Sequence, residues 1–258
     1  MANQAHSAFY SQEPIKKTYI MDTQSEKQKE TILSLLSKKS VMKQDVYSNT
    51  ISVFNQLKDI MKERAEDLSD EILKVDKRIN IFYKDISLQS SQLKVAGDIL
   101  DFQMHSNVFD FDRSNPMYKM AYVRNNDLNS YCGIISVYNF LADSYKYNRL
   151  NDLGYLVARI FINRENHFFV ETKTQIGYKY HNFSAAPITK EVLTDIVNEL
   201  IIYSIKFDLY TPPYDSVRQV TVYEMQEKSS SAALRTGKRL GYGGGQDAAR
   251  GFDDEAHL

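Results

Sequence analysis

Three sets of side chains in this 258-residue sequence are of types that chemistry uses. The first is Glu171 and Lys173, two residues apart, with Asp152 upstream. Carboxylates are hard oxygen ligands for a divalent ion, and a neighbouring ammonium can stabilise a charged reaction centre. The second is Asp101, His105, Asp110 and Asp112. Asp101 and His105 would share a face if a helix ran through them. Their spacing matches no metal motif, and capping or turn roles suit these aspartates better. The third is Cys132, the single cysteine. It has no assignable histidine partner, so a small core residue is expected rather than a nucleophile. Alone, it can build neither an intrachain disulfide nor a multi-cysteine zinc site.

A loop aspartate followed by a strand pair ending in apolar-Glu-x-Lys resembles the metal-dependent PD-(D/E)xK nucleases, over residues 152–225. That resemblance implies Asp152 and Glu171 as ion ligands and Lys173 as the charge-stabilising group. Strand geometry points elsewhere. A turn centred between Arg164 and Glu165 sets Glu171 opposite Ala158 and leaves Asp152 roughly 20 Å further along. Glu171 and Lys173 then belong to a solvated sheet face, no residue is assigned as catalytic, and neither a metal nor a cofactor is expected. The glycines of Gly241-Tyr-Gly243-Gly-Gly245 lack the flanking strand and helix of a phosphate loop and read as a linker.

The elements that must position these groups start with helix. Thr23-Gln-Ser-Glu26 fits a capping box, and residues 23–96 contain neither glycine nor proline. Steps of four and three from Met61 give Ala65, Leu68, Ile72, Val75, Ile79, Phe82, Ile86, Gln89, Leu93, Ala96 and Leu100. All but Gln89 are apolar, as a coiled-coil seam requires. The expectation is a helical coiled-coil arm over residues 23–105, either one long helix or a hairpin turning near residues 37–40. Its oligomer seam is Met61, Leu68, Ile72, Val75, Ile79, Phe82, Ile86 and Leu93.

An α+β domain is expected over residues 106–226, with helices around a small, mainly antiparallel sheet. The apolar face Ile134, Val137, Tyr138, Leu141, Tyr145 predicts a helix over 130–147, with Gly133 present for close packing. Residues 155–163 and 167–180 read as paired strands, 189–207 as an amphipathic helix, and 219–225 as a last strand.

Residues 1–22 and 227–258 read as flexible tails, on composition. Within the second, Leu234, Leu240, Tyr242 and Phe252 are spaced apolar anchors around the basic Arg235, Lys238 and Arg239, which suits docking on a partner. Lys plus Arg number 32 against 33 Asp plus Glu, a net charge of −1. This balance disfavours nucleic-acid binding through bulk electrostatics. No apolar run approaches the roughly 20 residues of a membrane span, and the N-terminus lacks the pattern of a signal peptide. The expected protein is therefore a cytoplasmic, non-enzymatic structural or adaptor subunit of a multiprotein assembly. It would form a homo-oligomer through its arm and bind other protein subunits.

Overall fold

The computed structural model describes residues 15–172, 175–183 and 186–231. The chain divides into two compact units, residues 1–44 and 45–258. Helix α1 (Ile15–Leu35), a π-helical turn (Leu36–Ser40) and α2 (Val41–Ile72) make a long N-terminal helix over residues 15–72. The π turn occupies the place where a hairpin was an option. Thr23 does not start the helix, because residues 15–22 are already helical; the rest of the expected N-terminal tail lies outside the described residues.

Helix does not continue to residue 105. At its C-terminus, the Ile72 carbonyl accepts from Val75 N at 2.9 Å and Asp76 N at 2.8 Å. The Asp76 carboxylate then accepts from Arg78 N and clasps its guanidinium, a side-chain-to-backbone turn that competes with helix. Three strands follow: β1 (Ile81–Ser87), β2 (Ser90–Val95) and β3 (Asp98–Met104). Gln89, the polar break in the heptad series, sits in the β1–β2 turn, and Ala96 sits in the β2–β3 turn at φ 52°.

The expected seam is thereby dispersed. Met61 and Leu93 are buried in the core, whereas Val75 is 81% exposed and Phe82 and Ile86 lie exposed on the edge strand. Leu68, Ile72 and Ile79 are at most partly covered. The misleading period has a physical origin. The β1 run Ile81-Phe82-Tyr83 carries apolar side chains on both faces, so steps of four and three always land on one.

Among the described residues six strands form one antiparallel sheet in sequence order, completed by β4 (Cys132–Leu141), β5 (Tyr155–Asn163) and β6 (Phe168–Thr172). The boundary expected at residues 105/106 would cut this sheet, since Phe102 pairs with Val137 and Met104 with Ile135. On the inner face, Ile135, Ile160 and Val170 lie in one cross-strand row and are all buried. Two helices cover that face: α2, through Val53, Phe54, Leu57, Ile60 and Met61, and α6 (Lys190–Lys206), through Leu193, Ile196, Val197, Leu200 and Ile201. The spacing of the α6 residues is an amphipathic stripe, and the Thr189 hydroxyl caps its first turn by accepting from Val192 N.

Residues 132–141 are a strand, not a helix, and only the short α4 (Ala142–Lys146) follows. A strand apolar on both faces cannot be told from a buried helix by periodicity alone. Gly133 does serve close packing, against Thr50 of α2. The second expected strand stops at Thr172, and α5 (Gln175–Lys179) folds back so that the Tyr180 carbonyl accepts from Val170 N on the β6 edge. Residues 219–225 are not a strand: after α7 (Tyr214–Val217), α8 (Val222–Ser231) takes up most of that stretch. Among the described residues its alternating side chains pair with no strand, and residues 209–226 are all exposed. Between β3 and β4, residues 105–131 cross the outer sheet face, carrying a 3-10 turn (Pro116–Lys119) and α3 (Ala121–Asn125). Among the described residues, no helix is long and apolar enough to cross a membrane.

Candidate functional site: an aromatic groove on the outer sheet face

The outer face at the β4–β6 end forms a half-open groove of about 440 Å³. Strand alternation builds its floor. Phe161 of β5 pairs with Phe169 of β6, and the rings stack at 4.4 Å with their planes 7° apart. Their neighbours Phe168 and Val170 point the other way, into the core. One wall comes from the β3–β4 connection, anchored by reciprocal bonds between Phe109 and Cys132 at 2.8 and 2.9 Å. That anchor brings Phe111 to 5.3 Å from Phe161 and sets the buried Met117 and the half-buried Met120 in the groove lining. Phe183 closes the other side, edge-on to Phe169 at 5.4 Å. Such offset and edge-to-face contacts suit the quadrupoles of the rings.

The polar rim has three carboxylates, Asp110, Asp112 and Glu171, together with Arg159 and His181. Arg159 and Glu171 face each other across the strand pair and form a salt bridge. The Arg159 guanidinium also lies over the Phe161 ring, 5.3 Å from its centroid. Burial pushes the Asp110 carboxyl up, but hydrogen bonds from Tyr118, Ser130 and the Phe111 N–H outweigh it and hold the carboxyl below its ordinary range. Asp112 accepts from the N–H and hydroxyl of Ser114, which likewise lowers its pKa.

The nuclease-like set is not assembled. Glu171 pairs with Arg159, one residue from the expected Ala158, because the hairpin centres on Glu165. Asn163 imposes this centre: its side-chain oxygen accepts from the N–H of both Glu165 and His167. Asp152 lies before the start of β5, outside the strand pair that carries Arg159 and Glu171. It is buried there with Arg149 at 2.8 Å and the Ser144 hydroxyl at 2.6 Å. Lys173 lies outside the described residues.

The second acidic set is split: Asp110 and Asp112 share the groove, and Asp101 and His105 are not part of it. Asp101 is buried, accepting from Gln92, Gln103 and Tyr145. His105 Nδ1 accepts from Asn107 N in a local turn. Among the described residues, no group of three His, Cys, Asp or Glu could hold a metal ion. Cys132 is fully buried, and burial, with a smaller contribution from the Asp110 charge, pushes its thiol well above the usual range.

The groove residues Phe109, Phe111, Met117, Phe161, Phe169 and Arg159 were not legible as a set. Their one signal was the density of aromatics between Phe102 and Phe183, more than a small sheet needs for its core. No family model, curated protein or solved structure matches the chain. The groove can hold an apolar or aromatic group beside a cation, with the Phe rings supplying contact area and the carboxylates supplying charge.

Proposed function

We propose that the protein is a non-enzymatic structural or adaptor subunit of a multiprotein assembly that self-associates through its N-terminal helix. The observation that carries this reading is a band of large aliphatic residues on that helix. Ile32, Leu33, Leu35, Leu36 and Val41 are each more than half exposed. Ile32, Leu35 and Leu36 share a face, the spacing by which one helix meets another. Scattered single apolar residues on a surface need no explanation, but a contiguous set on one element marks an interaction surface. The proposed seam lies upstream of the one expected from the heptads, since Met61 and its neighbours are committed to the core. The C-terminal anchors Leu234, Leu240, Tyr242 and Phe252 lie outside the described residues and are proposed as a second contact, with another subunit.

Light scattering of the purified chain tests self-association. The wild type is expected at a multiple of the monomer mass, and Ile32→Asp with Leu36→Asp at the monomer mass with its helical circular dichroism retained. A wild type that is already monomeric overturns the reading.

A further inference from the structure

We propose that residues 234–242 of this chain's own C-terminal segment dock in the aromatic groove of the same copy. The groove offers stacked Phe161 and Phe169 beneath a rim whose three carboxylates, Asp110, Asp112 and Glu171, face one arginine, Arg159. Its surplus charge is therefore negative. Residues 234–242 carry the complement: Arg235, Lys238 and Arg239, interleaved with Leu234, Leu240 and Tyr242. A guanidinium already rests on the groove floor, where Arg159 covers Phe161. A second one beside the exposed Phe109 ring would be held by the same attraction, with Asp110 and Asp112 close by.

The length of the segment bounds where it can go. Residues 232–258 follow the end of α8 at Ser231. The nine steps from Ser231 to Leu240 extend about 30 Å, which is the greatest distance from the end of α8 at which Leu240 can enter the groove. The acidic Asp253-Asp-Glu255 falls eleven residues beyond Tyr242, outside the segment proposed to dock. Docking within one copy also raises the effective concentration of the segment at the groove. A subunit that binds the same anchors must first displace them, so the groove masks the segment until that subunit arrives. Only this last consequence rests on the adaptor reading.

The test uses the full-length chain with ¹³C-methyl methionine and a nitroxide on Gly245→Cys, three residues past Tyr242. Cys132 is buried and does not compete for the label. In dilute samples the methyl signals of Met117 and Met120, in the groove lining, should lose most of their intensity, while Met61, in the core behind the sheet, keeps its own. Adding Arg235→Glu, Lys238→Glu and Arg239→Glu should restore both groove signals. Groove signals no weaker than that of Met61, or unchanged by the charge reversal, overturn the proposal. So does broadening that appears in full when labelled and ¹³C-bearing copies are merely mixed, because the occupant is then a second copy. The mass measurement that tests self-association is read separately, so either idea can fail alone.

Discussion

Gly133 of β4 lies directly against Thr50 of α2: a Cβ at Gly133 would stand 2.1 Å from Thr50 Oγ1. Thr50 is fully buried, and its hydroxyl is held by the Val46 carbonyl at 2.6 Å, so the side chain cannot swing aside. The helix can rest on the sheet this closely only because position 133 has no side chain. Gly133→Ala should therefore lower stability by about 1–3 kcal/mol, the usual cost of overpacking. Part of that loss should return in a Thr50→Ala background, and the non-additivity can be measured by urea denaturation of the four-member cycle.

Ala96 holds a left-handed conformation, φ 52°, in the two-residue turn between β2 and β3. A Cβ disfavours that region, and glycine does not. Ala96→Gly should stabilise the protein by about 0.5–1 kcal/mol, despite the extra entropy of the unfolded chain. A thermal midpoint raised by a few degrees would show it; a lowered midpoint would mean that the turn tolerates alanine without strain.

Asp110 links the groove wall to pH. Its folded carboxyl lies below its ordinary range, so the ionised form favours the folded state. That contribution is complete above the unfolded value near 3.9 and is lost as pH falls through the folded value. Asp110→Asn should thus be less stable than the wild type at neutral pH, and the gap should close as pH falls through the folded value. Denaturation midpoints across that range give the comparison. A gap that widens in acid would contradict the sign.

Glu171→Ala should cost about 0.5 kcal/mol or less, because the Arg159–Glu171 pair is solvent-exposed and screened. The purified wild type is not expected to cut nucleic acid with magnesium or manganese. Metal-dependent cleavage that this substitution abolishes, in a folded protein, would replace the adaptor reading by the nuclease one.

Asn163 is fully buried and holds the β5–β6 hairpin end through two backbone N–H groups, while donating to the Tyr122 hydroxyl at 2.8 Å. Asn163→Ala strands these donors, each worth about 1–3 kcal/mol when left unpaired. The loss should exceed that of Glu171→Ala several-fold, and hydrogen exchange at Glu165 and His167 should accelerate first.

By itself the sequence determined the elements whose signals are local. Helix α6 follows from a 3.6-residue stripe behind a capping threonine, and β5 from a β-branched run that starts at Tyr155 and ends at Asn163. A long N-terminal helix follows from a stretch free of glycine and proline, but its end at Ile72 does not, because that stretch runs on to residue 96. Tertiary structure alone decided the rest. Residues 81–104 satisfy a heptad on paper, yet Leu93 and Leu100 gain more as cross-strand partners beneath α2 and α6 than they could on a solvated arm. Residues 132–141 are apolar on two faces, and only their neighbours on both sides, β3 and β5, make them strand. The groove was the least legible part. Phe111 and Phe161 are fifty residues apart, and a long connection must fold over the sheet before their rings meet. Periodicity records which way a side chain points along its own element; it carries no record of what a distant segment will lay against it.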